Sequence, residues 1–374
     1  MSRPRPLLPA DPGAGYRAHK EALDRAIQGV LDAGHFILGP RVRAFEESFA
    51  AYLGAADCVG VANGTDALHL ALRAAGVGPG DTVITASHTA VATVVAIGMT
   101  GATAVLADID PRTYTLDPQR VEDALIRTAV RPKAVIAVHL YGHPADMDAL
   151  AAIAARGGAV LVEDCAQSHG AEIGKRKTGA MGICGAFSFY PTKNLGAFGD
   201  GGAVATSSPE AAGRLRSLRQ YGWGERYISD VPGFNSRLDE IQAAVLERKL
   251  DWLDAGNDRR REIARRYGAG LAGLPVVLPE ERPDCRHVYH QYVLRATDRD
   301  GLRRHLDSLE IRTAILYPVP VHRQPAYRGR VAVGPGGLAV SEEAARSIVC
   351  LPIYPELEDA DVDRVIEGLR SFPW

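Results

Sequence analysis

Lys193 stands in the stretch 187–203, FSFYPTKNLGAFGDGGA, among small, aromatic and glycine residues and with no acidic residue beside it. A surface lysine usually sits among other charges. The runs on either side, 185–190 (GAFSFY) and 202–207 (GAVATS), read as buried strands. A lysine held between two such strands is desolvated. Desolvation lowers the pKa of an ammonium, and the neutral amine is a nucleophile. Gly196, Gly199, Gly201 and Gly202 let the backbone fold closely around a ligand, and Ser188 closes the first strand.

Two other strand ends carry candidate chemistry. In 161–171 (LVEDCAQSHGA), Asp164 ends a hydrophobic run, with Gln167 and His169 close behind. A carboxylate at the C-terminal edge of an α/β sheet lies where ligands bind, and once buried it needs a cationic partner. The plainer reading is an aspartate capping the next turn. In 63–72 (NGTDALHLAL), Gly64, Thr65 and Asp66 open a helix after a strand. Free N–H groups and the helix dipole favour an anion there. Simple N-capping by Thr65 or Asp66 explains this stretch equally well when it is taken alone. A nucleophilic lysine, a buried aspartate and a phosphate-binding helix start together point to pyridoxal 5'-phosphate (PLP). Its aldehyde suits the lysine, its ring nitrogen the aspartate and its phosphate the N–H cradle.

These residues need a frame. The chain has 374 residues, enough for two domains, and its 46% hydrophobic and 24% charged content is that of a globular protein with a large core. Seven short apolar runs, at 58–63, 82–87, 103–109, 133–141, 159–165, 185–190 and 202–207, read as strands. Helical segments at 66–75, 90–99, 118–128 and 147–155 separate several of them. That alternation is the pattern of an α/β layer fold. Residues 237–255 form an amphipathic helix that runs on to 271, with a break expected at Gly256–Asn257. Beyond it, strand-like runs (288–296, 312–318) alternate with helical ones (300–309, 341–348, 359–369). The domains are therefore expected at 1–255 and, as a smaller α+β unit, at 256–374. Glycine-rich 328–337 reads as a loop.

A net charge of −2 excludes broad attraction to nucleic acid or to an anionic membrane. Five scattered cysteines without C-x-x-C spacing indicate a reducing compartment. No signal-peptide pattern opens the chain and no run of 18 apolar residues occurs, so a cytoplasmic location is expected. The G-x-G-x-x-G at 268–273 ends a helical run and lacks dinucleotide-binding context. His139 with His143, and His287 with His290, do not share a face, so no metal site is expected.

The segments 64–72, 163–171, 187–202 and 233–245 (GFNSRLDEIQAAV) together resemble the DegT/DnrJ/EryC1/StrS family of sugar aminotransferases, which are fold-type I PLP enzymes. The resemblance spans nearly the whole chain. It implies a large PLP-binding domain built on a seven-stranded, mainly parallel sheet between helices. Lys193 is then the residue that carries PLP and Asp164 the partner of its ring nitrogen. Gln167 lies near the ring 3-oxygen, and Gly64, Thr65, Asp66 and Ser188 hold the phosphate. His88 takes the position of the ring that stacks on the cofactor, where aromatic residues are common. Asn235 is implied to reach the phosphate of a neighbouring subunit in a homodimer with shared sites. The loop 317–322 (YPVPVH), with Tyr317 and His322, resembles the substrate-side loop. Tyr190, Arg219, Tyr221 and Arg237 are candidate substrate contacts, with an ordinary salt bridge an equal alternative for Arg219, Tyr221 and Arg237.

The lysine separates this chain from a branch that carries histidine instead and dehydrates its substrate. The stretch 194–202 (NLGAFGDGG) resembles the branch acting on dTDP-linked 3-keto sugars. The resemblance thus implies transfer of an amino group from L-glutamate to C3 of a dTDP-3-keto-6-deoxyhexose. A 4-keto nucleotide sugar or a keto-inositol is the alternative acceptor. A PLP-fold regulatory or binding protein without turnover is the alternative from another class.

Overall fold

The computed structural model describes residues 5–128 and 130–374. At its centre is an eight-stranded sheet. In spatial order the strands are Asp57–Val61, Gly202–Thr206, Cys184–Ser188, Val160–Asp164, Ala134–Val138, Thr82–Ala86, Thr103–Ala107 and Ala332–Val333. Neighbours run parallel except at Gly202–Thr206, which is antiparallel to both strands beside it. All seven expected runs enter this sheet. The eighth strand comes from the stretch read as a loop, where Ala332 and Val333 pair with Val105 and Leu106. Two residues are too few to show a period in sequence.

The central strands carry apolar residues on both faces because both faces are covered: Val83, Ile84, Val135, Ile136 and Val162 are fully buried. The helices Gly64–Ala74, Val91–Met99, Pro118–Arg127 and Met147–Gly157 each follow a strand, close to the expected segments. Asn63, Asp117 and Asp146 cap three of them by accepting the N–H groups of Asp66, Gln119 and Ala149. Asn63, rather than Thr65 or Asp66, is therefore the cap of the first. The parallel strands bring Ala86, Val138, Asp164 and Ser188 to one edge of the sheet. Gly202, opposite Ser188, enters at the same edge.

A three-stranded antiparallel sheet (Val276–Val277, Tyr292–Ala296, Ile348–Leu351) anchors a second core with helices Leu253–Gly270, Arg299–Ser308 and Asp359–Arg370. The expected strand 288–296 begins only at Tyr292, and of 312–318 only Ala314 forms a bridge, with Cys350. Leu7 is fully buried in this second core and exchanges backbone hydrogen bonds with Glu310 and Arg312. The segment around Leu7 thus packs on the C-terminal part of the chain, whereas helix Pro40–Leu53 packs with the large unit, the grouping expected for the whole N-terminal stretch. The helix break also differs. It falls between Glu240–Leu250 and Leu253–Gly270, and Gly256 and Asn257 lie inside the second helix. Asn257 is buried there and donates to the carbonyl of His169, so the helix continues where composition suggested a stop. The expected boundary at 255/256 falls within that helix.

Gly202 has no room for a side chain, since a Cβ there would lie 2.4 Å from the Asn63 carbonyl oxygen. Gly202→Ala should force the site edge of the sheet apart, at a cost of about 1–3 kcal/mol. A thermal scan should show the unfolding midpoint lowered by several degrees, and an unchanged midpoint would contradict this packing.

Candidate active site

A cavity of about 520 Å³ opens at this edge of the sheet. Its wall includes Asn63, Gly64, Thr65, Asp66, Thr89, Asp164, Gln167, Ser188, Tyr190, Lys193 and Asp200. The sequence therefore named most of its chemistry-bearing residues.

Lys193 sits on a turn closed by its own N–H donating to Tyr190 O. The loop around it is clamped from several directions. Gln242 bonds both the N–H and the carbonyl of Phe198, Lys249 Nζ donates to Gly196 O at 2.7 Å, and Asn194 donates to Asn257 Oδ1 and Val288 O. Burial brings the Lys193 pKa down to about 8, with Asp164 pulling weakly the other way. Asp164 is 5% exposed. Its Oδ2 accepts from Thr93 Oγ1 at 2.9 Å and its Oδ1 from the N–H of Ala166 at 3.2 Å. Burial pushes its pKa up, against the opposing pull of these two bonds and of Lys193. Among the described residues no ion pair forms on this carboxylate.

At the other end of the cavity, the helix Gly64–Ala74 starts against Ser188. A Cβ at Gly64 would meet the Cβ of Ser188 at 2.5 Å, so only glycine fits. The Asp66 N–H is already taken by Asn63 Oδ1, and its carboxylate accepts from Ser236 Oγ at 2.6 Å. Asp66 therefore has no N–H to give an anion, which leaves Gly64, Thr65 and Ser188 for that task. Gln167 is held by its Oε1, which accepts the Tyr141 N–H at 2.7 Å. Its Nε2 donates to the Tyr317 hydroxyl at 3.1 Å. Burial raises the Tyr317 pKa.

Other expected residues lie elsewhere. His88 is fully buried but is not on the cavity wall. Its Nε2 meets the Tyr141 hydroxyl at 2.7 Å, and that hydroxyl donates to Leu316 O. Nε2 must then carry the proton, and burial lowers the ring pKa to about 4. Arg219 is tied to Glu46 at 2.5 Å and to Gly60 O at 2.8 Å, an internal ion pair and not a substrate contact. His322 bridges Ser87 and Glu342. Tyr221, Asn235 and Arg237 cluster on one loop outside the cavity, with the Arg237 guanidinium 5.9 Å from the Tyr221 ring. His139, Glu163 and Cys165 lie close enough to suggest a metal. The polar atoms of His139 and Glu163 are already used: His139 accepts from Ala145 N–H and bonds Glu163, which also accepts from the N–H groups of Gly179, Met181 and Gly182.

The DegT/DnrJ/EryC1/StrS aminotransferase family model matches residues 17–370. The chain belongs to that family. It is 50% identical over 360 residues to the dTDP-3-amino-3,4,6-trideoxy-alpha-D-glucose transaminase of Streptomyces venezuelae, covering 96% of this chain and 94% of that one. It is 46% identical over 359 residues to the erythromycin biosynthesis sensory transduction protein EryC1 of Saccharopolyspora erythraea, covering 96% and 97%. The crystal structure of S. venezuelae DesV in complex with a ketimine intermediate superposes with a TM-score of 0.94 at 49% identity, covering 98% of both chains.

The chain is thus a PLP-dependent aminotransferase, and its own residues fit that cofactor. The buried carboxylate of Asp164, which has no ion pair among the described residues, is of the right charge to sit against a protonated ring nitrogen. The glycine-tight helix start beside Ser188 suits a phosphate, and Lys193 shares the cavity with both. Sequence reasoning missed Thr89, Thr93, Gln242 and Lys249 around this aminotransferase site. The contacts of Gln242 and Lys249 with the lysine loop span 44 and 53 residues, so no local motif marks them.

The lowered pKa of Lys193 has a thermodynamic consequence. Unfolded, the amine titrates near its ordinary 10.5; folded without cofactor, near 8. Burying the charge therefore destabilises the apoprotein in full below pH 8. The penalty fades as pH rises through 8 and is gone above 10.5. Apo Lys193→Met should melt higher than the wild-type apoprotein at pH 7, and the gap should close by pH 10.5. A gap independent of pH would show that Lys193 is not desolvated.

Proposed function

We propose that this aminotransferase moves an amino group from L-glutamate to C3 of a dTDP-linked 3-keto-6-deoxyhexose. The observation that carries the chemistry is the joining of Lys193, Asp164 and the open helix start at Gly64 in one cavity. The sugar class is supported by the stretch 194–202 and by the name of the 50%-identical relative.

PLP, when bound, supplies the electron sink for the pair left behind when a proton leaves the carbon bearing the amine. Lys193 is the base: with a pKa near 8 it can take a proton at one carbon and return it at another. Asp164 would balance a positive charge on the ring nitrogen, and Gln167, held by the Tyr141 N–H, would lie beside the ring's 3-oxygen. Gly64, Thr65 and Ser188 anchor the phosphate.

The site is shared in a homodimer. Asn235 and Tyr221 are exposed, outside their own cavity, and lie beside an exposed apolar hairpin with Tyr227, Ile228 and Val231. A second copy of the chain placed on that surface would bring Asn235 of the partner subunit toward the phosphate end. Size measurement in solution tests this, and a monomer with full activity would refute it.

Lys193→Ala should abolish turnover, and Asp164→Asn should lose most of it, about a hundredfold or more, with normal folding. The relative named as a sensory transduction protein keeps a binding role in view. Mixing purified holoenzyme with L-glutamate decides between the two. Bleaching of the visible cofactor band, followed by amination of a 3-keto but not a 4-keto nucleotide sugar, is expected. An unbleached band would favour the binder.

A further inference from the structure

We propose that Thr93 is a positioning residue that holds Asp164 ionised and aimed at the cofactor's ring nitrogen, through a chain of two hydroxyls that begins at Thr89 on the cavity wall. This rests on the reading that Asp164 pairs with that nitrogen. Thr93 is fully buried in the first turn of helix Val91–Met99. Its Oγ1 lies 2.9 Å from Asp164 Oδ2 and 3.0 Å from Thr89 Oγ1.

The direction of the chain follows from counting protons. A hydroxyl has one proton to donate, and an ionised carboxylate only accepts. Thr93 therefore gives its proton to Asp164, and its oxygen must be served by Thr89. Both bonds then run toward the carboxylate, and the last is charge-assisted and stronger than a bond between neutral groups. A protonated Asp164 would forfeit that charge-assisted gain, whichever of its oxygens carried the proton.

This bond matters because burial pulls the other way. Desolvation favours the neutral acid, and among the described residues only the N–H of Ala166 is bonded to the second oxygen. Lys193 and His139 act on Asp164, and Asp164 in turn acts on Tyr317 and, beside it in the chain, on Cys165, whose thiol burial keeps protonated. None of these side chains is hydrogen-bonded to it. Thr93 also stands in the first turn of its helix, where the dipole favours a negative neighbour. A threonine that served packing alone would have no need of a hydroxyl in a place this dry.

The experiment uses apoprotein titrated with PLP from pH 5 to 9, for wild type, Thr93→Val, Thr93→Ser, Thr89→Ala and Asp164→Asn. The readouts are PLP affinity and the acid limb of its pH profile. Thr93→Val removes the bond at nearly constant shape, so PLP affinity should fall about tenfold at neutral pH. Its acid limb should move to higher pH, because Asp164 loses the group that opposes its protonation. Thr93→Ser keeps the hydroxyl and should restore both values to within about twofold of wild type. Thr89→Ala should shift the limb the same way but less, and it keeps the test open if Thr93→Val does not fold. A Thr93→Val protein with wild-type affinity and an unmoved limb, beside an Asp164→Asn protein that binds PLP weakly, overturns the proposal and leaves the role of Asp164 standing. If Asp164→Asn itself binds PLP as wild type does, the parent reading fails and this one with it.

Discussion

A carboxylate buried at the end of a hydrophobic strand, with no cation bonded to it, is the constraint around which this structure is arranged. Leaving an unpaired charge in a protein interior costs several kcal/mol, and chains usually avoid it by pairing, by exposure or by substitution. Among the described residues, Asp164 is retained with two hydrogen bonds, from Thr93 and Ala166, and with a lysine that shares its cavity without a bond to it. Such a site is stable only in part without its ligand. A positively charged ring placed against Asp164 would complete the pairing, and its binding would then draw on electrostatic energy that folding has left unsatisfied. Lys193 carries the matching penalty from the opposite charge, and once its amine is neutral it no longer bears it.

Holding two such groups in place requires rigidity around them. Asp164 is fixed by the sheet, where its strand lies between Ala134–Val138 and Cys184–Ser188. Lys193 is on a loop, and the loop is fixed by residues from far along the chain. Gln242 and Lys249 grip it from one helix, and Asn257 and Val288 grip Asn194 from the segment beyond. His290 meets the same Asn194 through Oδ1 at 3.1 Å. The lysine is therefore positioned jointly by the main sheet and by the part of the chain that builds the second core. A strain anywhere along that path reaches the catalytic amine.

What the sequence made legible follows from this division. Lys193, Asp164, Gln167, Ser188, Gly64 and Thr65 sit on strand ends or helix starts whose local patterns betray them, and each lies on the cavity wall. The seven strands were readable because full burial on both faces leaves an unbroken apolar run. For Arg219 the sequence left a substrate contact and an ordinary salt bridge equally open, because residue type does not reveal a partner: Glu46 lies 173 positions from Arg219, and only folding joins them. The break expected at Gly256–Asn257 failed for the same reason, since the contact of Asn257 with His169 is invisible in one dimension. The place of Leu7 in the second core likewise depends on a backbone pairing more than 300 residues away.

The same logic separates chemistry from recognition. Residues that bear on the reacting centre are buried or at the cavity wall, where each is locked by neighbours and few alternatives would fit. Tyr190, 54% exposed on the cavity rim, is less confined. Substitution on such a surface costs little stability, whereas a change at Gly64 or Asp164 disturbs packing or charge throughout the site. A fold built this way can exchange one sugar for another by altering exposed loops while the buried acid, the lysine and the glycine-tight helix start remain as they are. The close constraint on charge and space around Asp164 is therefore the physical reason this chain's reaction is easier to read than its acceptor.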